Sequence, residues 1–380
     1  MWVLAAWNHY AITGDRAFLT QAYQAARETL ARAQLRRFRA PYGLFAGPGF
    51  FNDGIAGYPS PPATAAEERG SFVLDYPGAD ELLVLSTNCL YVRAYRSAAA
   101  MARALGEDTM ASTLMAMADT LEDAINRRFW IADRGTYGYL LAGAPGEAGA
   151  PSALAGARDD HQEGAGLAFA LLFDVADSTR AREVLGNAHV DPHGIVDVYP
   201  AFPRFGDARP GRHNEIVWPM VEGFWALAAA HWRDERAFSR EVSNLAQLAA
   251  SSSRHFYEIY DAGTGVPDGG WQAGRHWDSE PDQTWSATAY LAMIYRGLFG
   301  MSFTPAGIEL RPLLPAGWGD VALSGLRYRG MRLDIHLHGA GCAVSSFVLD
   351  GRHRTEPFVP ATLTGVHSTE ITLRGGCAPR

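Results

Sequence analysis

Apolar residues recur at helical spacing through the first two thirds of the chain, in paired segments joined by short polar turns. Strong helix formers fill the segments, and the turns include Thr13-Gly14-Asp15 and Gly106-Glu107-Asp108. The pattern predicts helical hairpins at residues 1–12 with 15–38, 81–105 with 108–129, 160–174 with 178–188 and 213–232 with 235–253, and a further helix at residues 283–299.

Long segments rich in glycine, proline and aromatic residues separate the predicted hairpins, at residues 39–80, 130–159, 189–212 and 254–282. Long loops within a compact domain are usually functional, and the aromatic content of these loops argues against disorder. Short turns at one end and long aromatic loops at the other are typical of an (α/α)6 toroid with its active site at the long-loop end. A complete toroid has six hairpins and the pattern accounts for about four and a half. Either a helix escapes the pattern or the N-terminal hairpins are missing.

The period of the pattern changes after Gly300. The segment GIELRPLLPAGWGDVALSGLRYRGMRLDIHLHGAG alternates apolar and polar residues, and VSSFVLDG and TEITLRGG continue in the same way. Such alternation, interrupted by glycine and proline, predicts short strands. We therefore expect a mainly α catalytic domain at residues 1–300 and a small C-terminal β-sandwich at residues 301–380.

Composition and charge narrow the function classes. The chain is 48% hydrophobic and 19% charged, which indicates a soluble globular protein, and its net charge of −8 argues against a nucleic-acid-binding face. The chain contains arginine but no lysine, which we interpret first as a base-composition bias of the source genome. No segment approaches the ~18 apolar residues of a membrane span, so we expect no membrane association. The N-terminus lacks a signal-peptide pattern, which leaves the localisation open between the cytoplasm and, for a truncated N-terminus, secretion.

The cysteines predict no metal site and no cross-link. Cys89, Cys342 and Cys377 are odd in number and widely spaced, without a CxxC pattern or a disulfide framework. HExxH, GxSxG and phosphate-binding glycine loops do not occur. We expect neither a metal nor a cofactor, and the sequence leaves the oligomeric state open.

The first long loop carries a candidate general acid. In GPGFFNDGIAGYPSPP, Asp53 lies between aromatic residues and a glycine, where desolvation would raise the pKa of its carboxyl group and suit it to proton donation. An ordinary Asn-Asp-Gly turn explains the same residues equally well. Asp75, later in the loop, is a second candidate for the acid, and Phe51 and Tyr58 are candidates for substrate contact.

A second carboxylate, Glu258, stands among aromatic residues in HFYEIYDAGTGVPDGGW, just before a glycine-rich turn. A solvated glutamate at a helix end is the simpler interpretation, and a catalytic carboxylate on an aromatic floor is the functional one. Sugar rings stack on aromatic side chains, and their hydroxyl groups bond to polar ones. The remaining candidates for sugar binding are Arg212, His213, Glu215, Trp218, Trp271, Gln283 and Trp285.

Two further acidic groups have structural interpretations. Asp159, Asp160 and Glu163 lie at the start of a predicted helix, where acidic side chains stabilise the N-terminus.

The second group lies near the start of the helix predicted at residues 213–232. Glu215, Trp218 and Glu222 have spacings of three and four, which would place them on one helical face together with Trp225. A helical Trp is more often in the core, but the preceding Arg-His-Asn favours a sugar-binding face.

Five segments together resemble the (α/α)6 six-hairpin glycosidases related to glycoside hydrolase family 63 and the mannosylglycerate hydrolases. In chain order they are FFNDGIAGYP, LSTNCLYVRAYRSAAAMARALGE, GRHNEIVWPMVEGFWALAAA, FYEIYDAGTG and DQTWSATAYLAMIYRGLFG. In that group a loop Asp is the general acid, and the Glu of an E-x-Y-[DN]-x-x-T-G element is the general base. Residues 258–265 match this element. Asp53 matches the acid by order, although the family often has Gly-x-Asp-x-Ser where this chain has Asn-Asp-Gly-Ile.

The segment GIELRPLLPAGWGDVALSGLRYRG resembles the C-terminal β-domain of rhamnosidases and of cellobiose-type phosphorylases. The resemblance as a whole covers residues 1 to about 340. We expect the first barrel hairpins, which normally supply part of the sugar subsite, to be absent.

These features imply an inverting, exo-acting glycoside hydrolase for an oligosaccharide or small glycoside, with Asp53 as acid and Glu258 as base. Inverting enzymes hold their two carboxyl groups ~6.5–9.5 Å apart and retaining enzymes ~5–5.5 Å apart. The sequence alone does not give this distance. One alternative is a phosphorylase, in which Arg212, His213 and Arg275 would bind phosphate. The other is a catalytically degenerate toroid that only binds carbohydrate.

Overall fold

The computed structural model describes residues 1–59, 70–76, 78–142 and 156–377. Its helices alternate along the chain with loops and short strand pairs. Over these ranges the α-helices are α1 (Trp2–Thr13), α2 (Arg16–Arg37), α3 (Leu85–Leu105), α4 (Asp108–Phe129), α5 (Gly164–Leu172), α6 (Ser178–Asn187), α7 (Pro219–His231), α8 (Glu235–Ser251) and α9 (Thr284–Ala292). A π-helical segment, Met293–Leu298, continues α9. None of the helices in these ranges has both the length and the hydrophobicity that crossing a membrane requires.

The short turns end and begin helices as the sequence predicts. Gly14 adopts a left-handed conformation (φ 75°) after α1, and the side chain of Asp15 accepts a hydrogen bond from the Phe18 amide at 2.9 Å at the start of α2. Gly106 ends α3 in the same left-handed conformation, and Asp234 caps α8 by accepting from the Ala237 amide at 2.9 Å. The hairpin organisation predicted from the spacing is confirmed.

Alternate helices pack side by side in the order α1, α3, α5, α7 and α9, while α2, α4 and α8 each pack against the helix that precedes them. This arrangement of inner and outer helices is that of an α/α toroid. The part of the chain that the structure describes supplies four hairpins and the single helix α9, in agreement with the pattern.

Three inner helices begin four to six residues later than predicted, because an extended segment comes first in each case. Leu83–Val84 forms β3 before α3, Gln162–Glu163 forms β8 before α5, and Val217 bridges to Tyr260 before α7. Backbone groups that the pattern assigned to a helical turn are therefore paired between neighbouring loops.

Short antiparallel ladders form within the long loops and between them. They are formed by β1 (Phe38–Arg39), β2 (Leu44–Phe45), β3 (Leu83–Val84), β4 (Trp130–Ile131), β5 (Thr136–Tyr137), β6 (Leu140–Leu141), β7 (Arg158–Asp159), β8 (Gln162–Glu163), β9 (Val198–Tyr199), β10 (Trp271–Gln272) and β11 (Arg275–His276). The pairs are β1 with β2, β3 with β6 and β6 with β7, β4 with β5, β8 with β9, and β10 with β11.

The chain after residue 300 forms two sheets, as the change of period predicts. Their strands are β12 (Met301–Thr304), β13 (Gly307–Leu310), β14 (Val321–Tyr328), β15 (Met331–Gly339), β16 (Ala343–Leu349), β17 (Arg352–Arg354), β18 (Phe358–Pro360) and β19 (Gly365–Arg374). One sheet has the order β12-β13-β18 and the other β14-β15-β19-β16-β17. Their apolar residues share one core with Phe238 and Val242 of α8. The sheets therefore pack on the helical part, and the domain boundary at residue 300 stays a prediction.

The prediction of no disulfide was wrong for the C-terminal sheet. Cys342 and Cys377 form a disulfide with their Cα atoms 5.2 Å apart, whereas Cys89 is free and buried. The register of β16 on β19 places Ala343 opposite Arg374, so the residues just outside these strands meet. A separation of 35 residues along the chain hides this proximity from the sequence.

Candidate active site

Three consecutive side chains in the first turn of α3 hold the loop that carries Asp53. Asn88 accepts from the Phe45 amide at 2.8 Å and donates to the Phe45 carbonyl at 3.1 Å. Thr87 donates to the Pro48 carbonyl at 2.6 Å, and Ser86 accepts from the Phe50 amide at 2.9 Å. The Ser-Thr-Asn motif thus provides side-chain partners for backbone groups of Phe45, Pro48 and Phe50.

The backbone on either side of Asp53 has little conformational freedom. Phe51 adopts φ 69°, a conformation that non-glycine residues seldom adopt, and the Asp53 carbonyl accepts from the Val73 amide at 2.8 Å. A Cβ atom on Gly54 would lie 2.1 Å from Cδ2 of His213 and 2.3 Å from Oε1 of Gln272. Gly54 is therefore needed for close approach of the loop to His213, which a generic Asn-Asp-Gly turn would not require.

Glu258 lies in an extended segment after α8, not at a helix end as the simpler interpretation had it. Its amide donates to the Glu280 carbonyl at 2.8 Å, and the following Ile259 exchanges hydrogen bonds with the Ser279 hydroxyl. Asp261 then closes the glycine turn by accepting from the Thr264 amide at 2.7 Å. These contacts fix the backbone on both sides of the Glu258 side chain.

The Glu258 carboxylate is paired with Arg212. One guanidinium nitrogen, Nη2, donates to both Oε1 and Oε2 at 2.8 Å, and Nη1 donates to the Gly269 carbonyl at 3.0 Å. Glu258 is 6% exposed and the Arg212 side chain 12% exposed. A carboxylate this deeply buried needs a compensating cation, which Arg212 supplies.

The next residue, His213, faces the other candidate carboxyl group. Its Nε2 lies 3.6 Å from Oδ1 of Asp53, and its Nδ1 lies 3.2 Å from Oδ1 of Asn52. The Asp53 side chain is 72% exposed, whereas His213 is buried. The dipeptide Arg212-His213 therefore contacts Glu258 with one side chain and approaches Asp53 with the other.

Aromatic rings surround this dipeptide. Phe51 meets Trp218 edge-on with ring centroids 4.7 Å apart and Trp285 edge-on at 5.9 Å, and His213 stacks on Trp218 at 4.7 Å. Trp218 is buried and its Nε1 donates to the Arg212 carbonyl, while Trp285 is exposed. Trp218 thus supports the site from below, and Phe51 and Trp285 lie where a ligand could stack on them.

Burial shifts the pKa values of Asp53 and His213 in opposite directions. Desolvation by the loop raises the pKa of Asp53 above its ordinary value, although its own backbone amide and Arg212 act in the opposite direction. The increase is limited by the exposure of the side chain. Burial, with a smaller effect of Arg212, lowers the pKa of His213 to about 3, so this imidazole stays neutral near pH 7.

Two buried carboxyl groups that the sequence did not single out as chemical lie beneath the site. Burial raises the pKa of Glu163 to about 8, and its Oε2 accepts from the Ser86 amide at 3.0 Å. Burial also raises the pKa of Asp197 well above its ordinary value, with Glu163 and Asp53 acting in the same direction. Glu163 does lie at the start of α5, as its N-cap residue, but it is buried and also bonds to the start of α3.

Other predicted residues take part in contacts that do not involve the carboxyl groups of Asp53 and Glu258. Tyr58 is fully buried, and its hydroxyl accepts from the Gly49 amide at 2.8 Å and donates to the Asn52 carbonyl. Tyr58 therefore supports the loop that carries Asp53 from the interior, and its side chain is not exposed to a sugar. Trp271 pairs with Arg209, whose guanidinium lies 4.9 Å from its ring centroid, and Gln283 is the N-cap residue of α9. Asp75 lies in a short 3-10 helix, exposed to solvent.

The predicted Trp–Glu face does not form, because α7 begins only at Pro219. Glu215 lies before the helix. Side-chain atoms of His189, Asp191 and Glu215 that could ligate a metal ion lie within 4.8 Å of one another. Glu222 and Trp225 are fully buried, and burial together with Glu241 raises the pKa of Glu222 well above its ordinary value.

A sequence model of the mannosylglycerate hydrolase MGH1-like glycoside hydrolase domain matches residues 2–286. The chain belongs to this glycoside hydrolase family. The match spans both candidate carboxylates and all helices from α1 to α8. No functionally curated protein matches the chain in sequence.

Solved structures show the same fold at low sequence identity. A sialidase aligns over 86% of this chain and 29% of its own, with 16% identity and a TM-score of 0.64. A family GH78 rhamnosidase of Bacillus sp. GL1 aligns over 98% of this chain and 34% of its own, with 17% identity and a TM-score of 0.59. The GH63 mannosylglycerate hydrolase of Thermus thermophilus, in complex with glucose, aligns over 77% and 74% of the two chains, with 16% identity and a TM-score of 0.52. The chain thus spans about a third of the length of the first two structures.

Proposed function

We propose that this chain is an inverting, exo-acting glycoside hydrolase in which Asp53 is the general acid and Glu258 the general base. The observation that carries the proposal is the position of Arg212-His213 between the two carboxyl groups. Arg212 bonds to both oxygens of Glu258, and His213 lies 3.6 Å from Asp53. Both carboxyl groups lie beside the same dipeptide, and of the two only Glu258 is paired with Arg212. This difference matches the two roles that glycoside hydrolysis requires.

In the proposed reaction Asp53 donates a proton to the glycosidic oxygen as the bond to the anomeric carbon breaks. Glu258 accepts a proton from a water molecule whose oxygen attacks the same carbon from the opposite face of the sugar. The products are an alcohol and a sugar of inverted anomeric configuration, and both carboxyl groups then exchange protons with solvent. Asp53 suits the first role because desolvation favours its protonated form, and Glu258 suits the second because Arg212 compensates its negative charge.

The substrate class we propose is the non-reducing end of an oligosaccharide or a small glycoside. Phe51 and the exposed Trp285 offer apolar ring surface beside Asp53, and a sugar ring presents matching C–H faces. The T. thermophilus mannosylglycerate hydrolase with a similar fold makes mannosylglycerate a suitable first test compound.

Two variants test the roles of the carboxyl groups. Asp53→Asn and Glu258→Gln are each expected to lose at least ~10³-fold in rate on aryl glycosides and mannosylglycerate, because each removes a proton donor or acceptor from the transition state. Asp75→Asn is the matched control and should retain wild-type activity. Loss of activity in Asp75→Asn with retention in Asp53→Asn would move the acid to Asp75.

The stereochemistry and the acceptor are measured in the same assay. Proton NMR of the first product identifies the anomer, and retention of configuration would refute inversion. Strict dependence on inorganic phosphate would indicate a phosphorylase, and binding without turnover by the wild type would indicate a degenerate toroid. The engagement of Arg212 by Glu258 and the Gly269 carbonyl disfavours a phosphate-binding role for this residue.

A further inference from the structure

His213 has two ring nitrogens, and the hydrogen-bond network around it determines which of them carries the proton. The ring is buried and neutral, so one nitrogen is a donor and the other an acceptor. Nδ1 lies 3.2 Å from Oδ1 of Asn52, and Nε2 lies 3.6 Å from Oδ1 of Asp53. The proton position therefore decides whether Asp53 faces an N–H group or a lone pair.

The orientation of the Asn52 amide follows from Tyr139. The Tyr139 hydroxyl donates its single proton to the Gly57 carbonyl at 2.8 Å, since a carbonyl can only accept. The same hydroxyl oxygen, 2.8 Å from the Asn52 side chain, must then accept, which requires the NH2 group of Asn52 at that position. The oxygen of the amide therefore faces Nδ1 of His213. Because Asn52 and Tyr139 are both buried, water does not replace either of them as a hydrogen-bond partner.

An amide oxygen facing Nδ1 requires a proton on Nδ1. Nε2 is then unprotonated and directs its lone pair toward Asp53. A protonated Asp53 can donate to this lone pair after moving by about half an ångström, whereas an ionised Asp53 would set one lone pair against another. The opposite tautomer would offer an N–H to Asp53 and favour the carboxylate.

We propose that Tyr139 and Asn52 are positioning residues that hold the proton of His213 on Nδ1, so that its bare Nε2 keeps Asp53 in the protonated form. The relay runs from the Gly57 carbonyl through Tyr139, Asn52 and His213 to Asp53. Its relevance to catalysis rests on the proposed role of Asp53 as general acid, but the proton positions do not.

Other charged groups face this relay and act on it. Arg212 is adjacent to His213 and favours ionised Asp53, in opposition to the relay. Asp197 Oδ2 lies 3.8 Å from Nδ1 of His213, too far for a hydrogen bond, and the buried Glu163 acts on Asp197. Desolvation favours the neutral form of Asp53, whereas its own backbone amide and Arg212 favour the charged form. In the proposed relay, Nε2 of His213 adds to the effect of desolvation.

Nitrogen-15 NMR of the full chain with labelled histidine tests the proton position without any turnover. His213 is assigned from the signal missing in His213→Gln, and the expected result is a protonated Nδ1 and an unprotonated Nε2 at pH 7. A proton on Nε2 in the wild type overturns the proposal, whatever the behaviour of any variant. Because no substrate is present, this outcome is independent of whether the chain is a glycosidase.

The effect on Asp53 is tested with Tyr139→Phe, which removes the hydroxyl that orients Asn52. We expect carbon-13 titration of the Asp53 carboxyl group to show a pKa lower by about one unit, a tenfold loss of proton affinity. Tyr137→Phe is the matched control, since Tyr137 is also fully buried but donates to Asn126 at 2.6 Å, outside the relay. An unchanged Asp53 titration in Tyr139→Phe, or an equal shift in Tyr137→Phe, would refute the relay.

Discussion

A single nitrogen of Arg212 donates to both carboxylate oxygens of Glu258 at 2.8 Å, in a pair that is almost completely shielded from solvent. The charge of Glu258 is thereby compensated from one side, and the guanidinium is itself fixed by the Gly269 carbonyl and by the ring of Trp277, 5.3 Å away. Geometry of this kind fixes the orientation of a carboxylate and compensates its charge.

Removing Arg212 should destabilise the protein mainly through Glu258. Arg212→Met leaves a buried carboxylate without its cation, and we expect the free energy of unfolding to fall by about 3 kcal/mol in urea denaturation. In the Glu258→Gln background the same substitution should cost much less, because the amide carries no charge. Arg275→Met is the control, since Arg275 stacks on Trp277 at 3.7 Å and is exposed. Equal costs of Arg212→Met in both backgrounds would contradict the ion pair.

The close approach of Gly54 to His213 makes a second prediction. A methyl group at this position would overlap His213 and Gln272, so Gly54→Ala should displace the Asp53 loop and lower kcat/KM by at least ~10²-fold. Gly186→Ala is the matched control, because its Cβ would meet no atom within 4 Å and α6 should gain up to about 1 kcal/mol. Circular dichroism establishes that both variants fold, and a Gly54→Ala enzyme of wild-type activity would show that the loop tolerates the displacement.

The buried Glu163 predicts a pH dependence of stability. Its pKa rises from 4.5 in the unfolded chain to about 8 in the folded protein, so only the folded protein binds this proton between those values. The free energy of unfolding should therefore fall as pH rises from about 5 to 8, by up to about 1.4 kcal/mol per pH unit. Glu163→Gln removes this contribution, and urea unfolding at pH 5 and pH 8 measures it.

Glu183→Gln, on the exposed side of α6, is the control for the loss of a carboxyl group and should keep the wild-type slope. Asp197 adds a contribution of the same sign, since burial also raises its pKa, and this part should persist in Glu163→Gln. The same slope in Glu163→Gln as in the wild type would show that Glu163 does not hold its proton.

The hairpin architecture was accessible from the sequence because each signal is local. The spacing of apolar residues, the N-cap at Asp15 and the left-handed Gly14 all act within one helical turn, and α1, α2 and α4 lie within a residue of their predicted bounds. The starts of α3, α5 and α7 were missed, since ladders between distant loops decide them. The pairing of Cys342 with Cys377 was missed for the same reason, because strand register and not local sequence brings the two together.

The candidate site was accessible only in part. Asp53, Glu258, Arg212 and Phe51 were identified from their residue type and their aromatic company, and these do lie together. The supporting residues were not found, because Asn52, Tyr139 and Asp197 act through contacts between segments far apart in sequence. The prediction of an exposed face for Glu222 was wrong, because α7 begins six residues later than predicted. Trp218 therefore precedes the helix, and its spacing of four to Glu222 does not place the two on one helical face.

The Ser86-Thr87-Asn88 motif makes the loop that carries Asp53 dependent on a single turn of helix. The Phe45 and Phe50 amides bond to the side chains of Asn88 and Ser86 and not to a strand. These amides can exchange with solvent deuterium only when that turn of α3 opens or the loop lifts from it. Exchange of the Phe45 and Phe50 amides therefore reports the easier of these two openings, and a ligand that binds Asp53 and holds the loop on α3 would slow exchange at amides it does not touch.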